Sequence, residues 1–136
     1  MTGVQTCALP ISMKGITKIY GNGILANDKV DFSVNASWCG DQAGLIENGK
    51  MPKFSLCDDG IAWFQNKGKW KSRGYSPEPG TLIFFDWNGD GTSDHVGIVE
   101  KTEGSTVYTV EGNSSNAVNQ RSYDINNGTI MGYGIL

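Results

Sequence analysis

The side chains from which acid–base and thiol chemistry could be built are few: one histidine, His95, and three cysteines, Cys7, Cys39 and Cys57. An imidazole exchanges its proton near neutral pH, and a thiol attacks as its thiolate, which a neighbouring imidazolium or a helix N-terminus favours. Together the two types make the pair that cleaves amides through a covalent acyl intermediate. Taken singly, each has a plainer reading. A lone histidine is more often structural, and a lone cysteine is more often a small buried hydrophobe.

The context of His95 raises the chemical reading. Residues 94–101 and 105–112 have the composition of two strands around Thr102-Glu103-Gly104. A three-residue loop there pairs Lys101 with Ser105 and sets His95 directly opposite Glu111. Opposed side chains on one sheet face have Cβ atoms about 4.5–5.5 Å apart, close enough for an imidazole N–H to meet a carboxylate. Asn113 would share that face. The carboxylate would fix the imidazole tautomer and leave the other ring nitrogen for a nucleophile. A loop one residue longer or shorter would send Glu111 to the opposite face. The competing reading is a polar cross-strand pair without function.

Just before His95 runs Asp86-Trp87-Asn88-Gly89-Asp90-Gly91-Thr92-Ser93-Asp94. Oxygen-bearing Asp86, Asn88, Asp90 and Asp94 stand at relative positions 1, 3, 5 and 9, with glycine at 6, as in the first part of a calcium loop. Position 12, where such a loop has glutamate, is Gly97. A structural Ca²⁺ held by those four residues is one expectation; a glycine-rich turn between strands is the other.

The elements that must carry these residues follow from periodicity and punctuation. Residues 36–47, ASWCGDQAGLIE, place apolar side chains at helical spacing and end at Asn48-Gly49, predicting a helix that contains Cys39. A second helix is predicted from Cys57 to Lys67, opened by Asp58 and Asp59 and closed by Gly68. After Pro77-Glu78-Pro79-Gly80 the pattern changes to short strands: Thr81 to Phe85, then segments around Val96, Val107, Tyr123 and Ile130. Two helices followed by a meander of four or five antiparallel strands define an α+β fold. The 19 glycines among 136 residues, about twice ordinary usage, fall mostly at the turns.

Composition narrows the function classes. A net charge of −3 argues against a charge-driven nucleic-acid binder. No run approaches the ~18 apolar residues of a membrane span, so neither nucleic acid nor a membrane is an expected partner. The opening MTGVQTCALPIS has no basic start and no cleavage pattern, so a signal peptide is not read in this chain. It resembles translated sequencing-adapter sequence. Residues 1–12, with Cys7, are therefore set apart as an artefactual leader, and 13–136 are read as one domain.

Three stretches, SWCGDQAGLI, PEPGTLIFFDWNGDGTSDHVGIVE and VEGNSSNAVNQRSYDI with its IMGYG ending, resemble the CHAP domain of cell-wall hydrolases. These are cysteine- and histidine-dependent amidohydrolases and peptidases. The resemblance implies a papain-like α+β fold, with N-terminal helices packed on a four- to six-stranded antiparallel sheet. It also implies hydrolysis of a peptidoglycan amide, as an N-acetylmuramoyl-L-alanine amidase or as an endopeptidase of the peptide or cross-bridge. Peptidoglycan is the implied partner, the implied place is extracellular or at the cell wall, as in bacterial autolysins and phage endolysins, and a monomer is expected. No cofactor is required, although some members bind calcium near the active site. The family's histidine, in its DHVGIV context, falls on His95, and its orienting acid and following polar residue, in the EGN context, fall on Glu111 and Asn113.

The family nucleophile does not carry over. In the family a Trp-Cys pair opens a helix and Ser-Trp-Cys follows about two turns later, with the first cysteine attacking. Ser37-Trp38-Cys39 matches the second element, and seven residues earlier stands Phe32. Three explanations follow, in this order: a damaged or frameshifted N-terminal part, a pseudoenzyme that still binds peptidoglycan, or Cys39 serving as a substitute nucleophile.

Overall fold

A computed structural model describes residue 41 and residues 43–54, 56–114 and 117–136. Within them lie one helix, α1 (Cys57–Asn66), and six strands: β1 (Trp70–Ser72), β2 (Leu82–Phe85), β3 (His95–Glu103), β4 (Thr106–Ser114), β5 (Ala117–Asp124) and β6 (Ile130–Gly134). The strands form one sheet in the order β1-β6-β2-β3-β4-β5, and every neighbouring pair is antiparallel. The chain is thus α+β. The sheet departs from the predicted meander of four or five strands in two respects: it has a sixth strand, β1, ahead of Pro77, and its strand order is not sequential. After β5 the chain crosses back, and β6 inserts between β1 and β2.

α1 forms where two acidic residues, Asp58 and Asp59, occupy its first turn and complement the helix dipole. It ends where the Gly68 N–H meets Gln65 O and the Lys69 N–H meets Phe64 O, the paired bonds of a glycine-terminated helix. Its buried side, Cys57, Ile61 and Phe64, packs with Met51, Phe54, Leu82, Phe84, Val96 and Val110 on one face of the sheet. The predicted helix over 36–47 is only partly visible. Residues 36–40, with Cys39, lie outside the described residues, and 43–49 are turns. The physical reason is Gly44, whose φ of +74° is left-handed and ends helical continuation.

β2 reads Leu-Ile-Phe-Phe and is buried along its whole length, as expected of a strand covered on both sides. Leu82 and Phe84 point to α1. Ile83 and Phe85 join Val99, Val107, Ile130 and Tyr133 in a second cluster on the opposite face. A register shift on the β6 side between Phe84 and Phe85 keeps Ile130 and Tyr133 together on that second face. Among the described residues no helix is long and apolar enough to cross a membrane.

Candidate active site

His95 opens β3 opposite Phe85 of β2, so residues 86–94 are the connection that closes this hairpin. The loop is held by its own side chains. Asp86 accepts the Gly89 and Gly91 N–H groups at 2.6 and 2.8 Å, and Asp94 accepts those of Trp87 and Asn88 at 2.7 and 3.2 Å. Asn88 accepts from Asp90 N–H, and Asp90 accepts from Thr92 N–H and hydroxyl. The Ser93 N–H donates to Asp58 Oδ1 at 2.9 Å and ties the loop to the start of α1.

The four oxygen-bearing residues that match a calcium loop are thus engaged with the loop's own donors. Among the described residues no three His, Cys, Asp or Glu side chains converge closely enough to hold a metal ion. The loop is a hydrogen-bonded turn that carries Trp87 onto His95. The Trp87 indole stacks on the imidazole, with ring centroids 4.6 Å apart and planes 26° from parallel, while remaining 50% exposed.

His95 and Glu111 meet, though not by the predicted register. The hairpin closes with Glu103 opposite Thr106 around Gly104-Ser105, a two-residue turn instead of a three-residue loop. Two-residue turns match the natural strand twist and are the commonest hairpin connection. That odd shift alone would turn Glu111 to the other face. A bulge between Val99 and Lys101 absorbs one residue, so that Ile98 faces Val110 and Val99 faces Thr109. The two irregularities restore the parity. Glu111 stays on the face of His95, one step diagonal to it, and its Oε1 lies 3.1 Å from His95 Nε2.

Both side chains are shut away from solvent, Glu111 at 0% and His95 at 6% exposure. The other carboxylate oxygen, Oε2, accepts from the Thr109 hydroxyl and, at 2.9 Å, from the Tyr123 hydroxyl. Burial pushes the Glu111 carboxyl up; the hydrogen bonds from His95, Thr109 and Tyr123 and the His95 charge outweigh it and hold the group below its ordinary value. An ionised carboxylate only accepts, so His95 Nε2 carries the proton of the shared bond. Because the folded-state value is depressed, this carboxylate's stabilisation is complete above the ordinary carboxylate range and is lost as pH falls through the folded-state value.

Space for the carboxylate comes from Gly97. A Cβ there would lie 2.9 Å from Glu111 Cγ and 3.3 Å from Ile83 Cγ2, closer than packed carbons approach. Sequence reasoning missed Gly97, Thr109, Tyr123 and Trp87. Thr109 could have been found, since it stands two residues before Glu111 on the same strand and so on the same face. Cys57 is buried at the start of α1, on the opposite side of the sheet from His95. Cys39 and Phe32 lie outside the described residues, as does the side chain of Asn113.

The described residues thus form an α+β fold in which a buried imidazole is held by a buried carboxylate on an antiparallel sheet backed by a helix. The chain belongs to the CHAP domain family, whose model matches residues 20–113. Membership implies amidase or peptidase activity of the peptidoglycan-hydrolase type, with peptidoglycan as substrate. The match contains His95, Gly97, Thr109 and Glu111 and ends before Tyr123. No curated protein and no solved structure matches this chain.

Proposed function

We propose that this domain cleaves an amide bond of peptidoglycan, at the muramoyl–peptide junction or within the peptide and its cross-bridge, by a thiol mechanism in which His95 is the general base and acid. The observation that supports it is the buried 3.1 Å contact of His95 Nε2 with Glu111. With Nε2 engaged by the carboxylate, Nδ1 is the nitrogen that takes the thiol proton. The thiolate adds to the amide carbonyl, backbone N–H groups hold the oxyanion, and the imidazolium returns the proton to the leaving amine. Water, deprotonated by His95, then cleaves the thioester and releases the thiol. The substrate lies in the cell wall, so the proposed activity is extracellular.

Cys57, facing the α1 side, is not placed to serve, which leaves Cys39, the substitute ranked last of the three explanations above, as the cysteine to test. The purified chain should clear a suspension of peptidoglycan only if a cysteine of this chain serves; Cys39→Ser and His95→Ala should then each abolish clearing, and Cys57→Ala should retain it. Clearing that survives both Cys39→Ser and His95→Ala would sink the thiol mechanism. Phe32 at the position of the family nucleophile favours a second reading, a non-catalytic peptidoglycan-binding domain. That reading expects the chain to sediment with insoluble peptidoglycan and release nothing from it.

A further inference from the structure

We propose that Tyr123 is a positioning residue for the His95–Glu111 pair: its hydroxyl, together with that of Thr109, fixes one carboxylate oxygen so that the other is presented to Nε2. The proposal rests on the reading of His95 and Glu111 as the reacting pair. Tyr123 stands on β5, beyond the stretch that the family model matches.

A glutamate side chain has three rotatable bonds, and one hydrogen bond to an imidazole does not fix them. At Glu111 three donors converge from three strands, His95 of β3 on Oε1, and Thr109 of β4 and Tyr123 of β5 on Oε2. The Tyr123 ring is itself set against Phe85 of β2, with centroids 4.9 Å apart, and Phe85 lies 6.0 Å from the His95 ring that it faces in register. His95, Glu111, Tyr123 and Phe85 thus close a circuit through four adjacent strands. Moving any one member moves the imidazole.

The hydroxyl also governs which partner holds the proton. A carboxyl shut away from water protonates unless donors compensate it. Once protonated it could donate instead of accept, and the imidazole would lose the bond that selects its tautomer. Tyr123 remains a donor throughout, since burial and the Glu111 charge push its phenol above its ordinary range, with Arg121, on the same strand, opposing them. The groups facing Glu111 are therefore His95, Thr109 and Tyr123, with Arg121 the further charge acting on Tyr123.

His95 is the only histidine, so its ring signals in an isotopically labelled full chain need no assignment among rivals. In Tyr123→Phe the Nε2–H tautomer should lose population at neutral pH, and the Glu111 carboxyl carbon should titrate at higher pH than in the parent. Thr109→Val should shift both readouts in the same direction, while Thr109→Ser, which keeps a hydroxyl, should restore them. Tyr108→Phe, a hydroxyl lost from the neighbouring β4 position that points the other way, should move neither. Parent-like tautomer and titration in a folded Tyr123→Phe would overturn the proposal. So would loss of the fold in that variant, because the hydroxyl would then be structural. A negative result here leaves the hydrolase reading standing, and failure to clear peptidoglycan leaves this test unaffected.

Discussion

The two faces of the central sheet are built by the same strands and do different work. Toward α1, Phe54, Phe64, Phe84, Val96 and Val110 make an apolar layer with aromatic rings grouped around Phe84, at 5.6 Å from Trp70, 6.1 Å from Phe54 and 6.2 Å from Phe64. On the other face, Ile83, Phe85, Val99, Val107 and Ile130 surround His95, Thr109 and Glu111, all of them buried. Apolar packing is non-directional and degrades gradually. A buried polar group left without its partner costs about 1–3 kcal/mol at once. Strand alternation thus lets one layer hold the fold while the next residue along holds the geometry of the pair.

The largest expected effect breaks the first layer. Phe84→Ala removes a ring that is 0% exposed and leaves a cavity among three aromatics, with a cost of about 3–5 kcal/mol in denaturant unfolding. In the molecules that remain folded, the His95 ring signals should match those of the parent. A shift in those signals would mean that the two faces are mechanically one.

A smaller loss with a larger local effect is expected of Gly97→Ala. The added methyl would press on Glu111 Cγ and Ile83 Cγ2, and overpacking of this kind costs about 1–3 kcal/mol. The His95–Glu111 contact should be displaced, seen as a changed Nε2–H signal, although less stability is lost than in Phe84→Ala. If Gly97→Ala were as stable as the parent with an unchanged imidazole, the carboxylate would have room that the structure denies it.

This division also explains what was readable in the sequence. The α1 layer was legible because helical spacing and two acidic residues mark Cys57 to Lys67, within one residue of the observed end. His95 and Glu111 were placed on one face from a three-residue loop that the structure lacks, and the placement stands because the bulge cancels the change in parity made by the two-residue turn. Gly104-Ser105 is itself a two-residue turn signal; the compensating bulge near Glu100 carries none. Tyr123 and Trp87 were illegible for another reason. Their positions depend on how β5 registers against β4 and on how a nine-residue loop folds over its own side chains, and neither follows from periodicity. The β6 crossover was hidden likewise, since a strand's sequence does not say which neighbour it will pair with.

The finest test of the site face sets two tyrosines against each other. Tyr133 of β6 is 0% exposed, packed in the same cluster, and its hydroxyl has no hydrogen-bond partner among the described residues. Burial alone pushes its phenol up to about 12. An unpartnered buried hydroxyl stabilises nothing, so Tyr133→Phe, which keeps the ring and drops the oxygen, should leave stability unchanged or raise it by about 1 kcal/mol. Tyr123→Phe makes the same chemical change on the same face but withdraws a donor from a buried carboxylate, and should cost about 1–3 kcal/mol. Opposite signs for one substitution at two positions would show that hydrogen-bond satisfaction, and not ring packing, distinguishes the site from the rest of its face. Equal losses in parallel denaturation curves would assign the effect to packing and give the Tyr133 hydroxyl a partner.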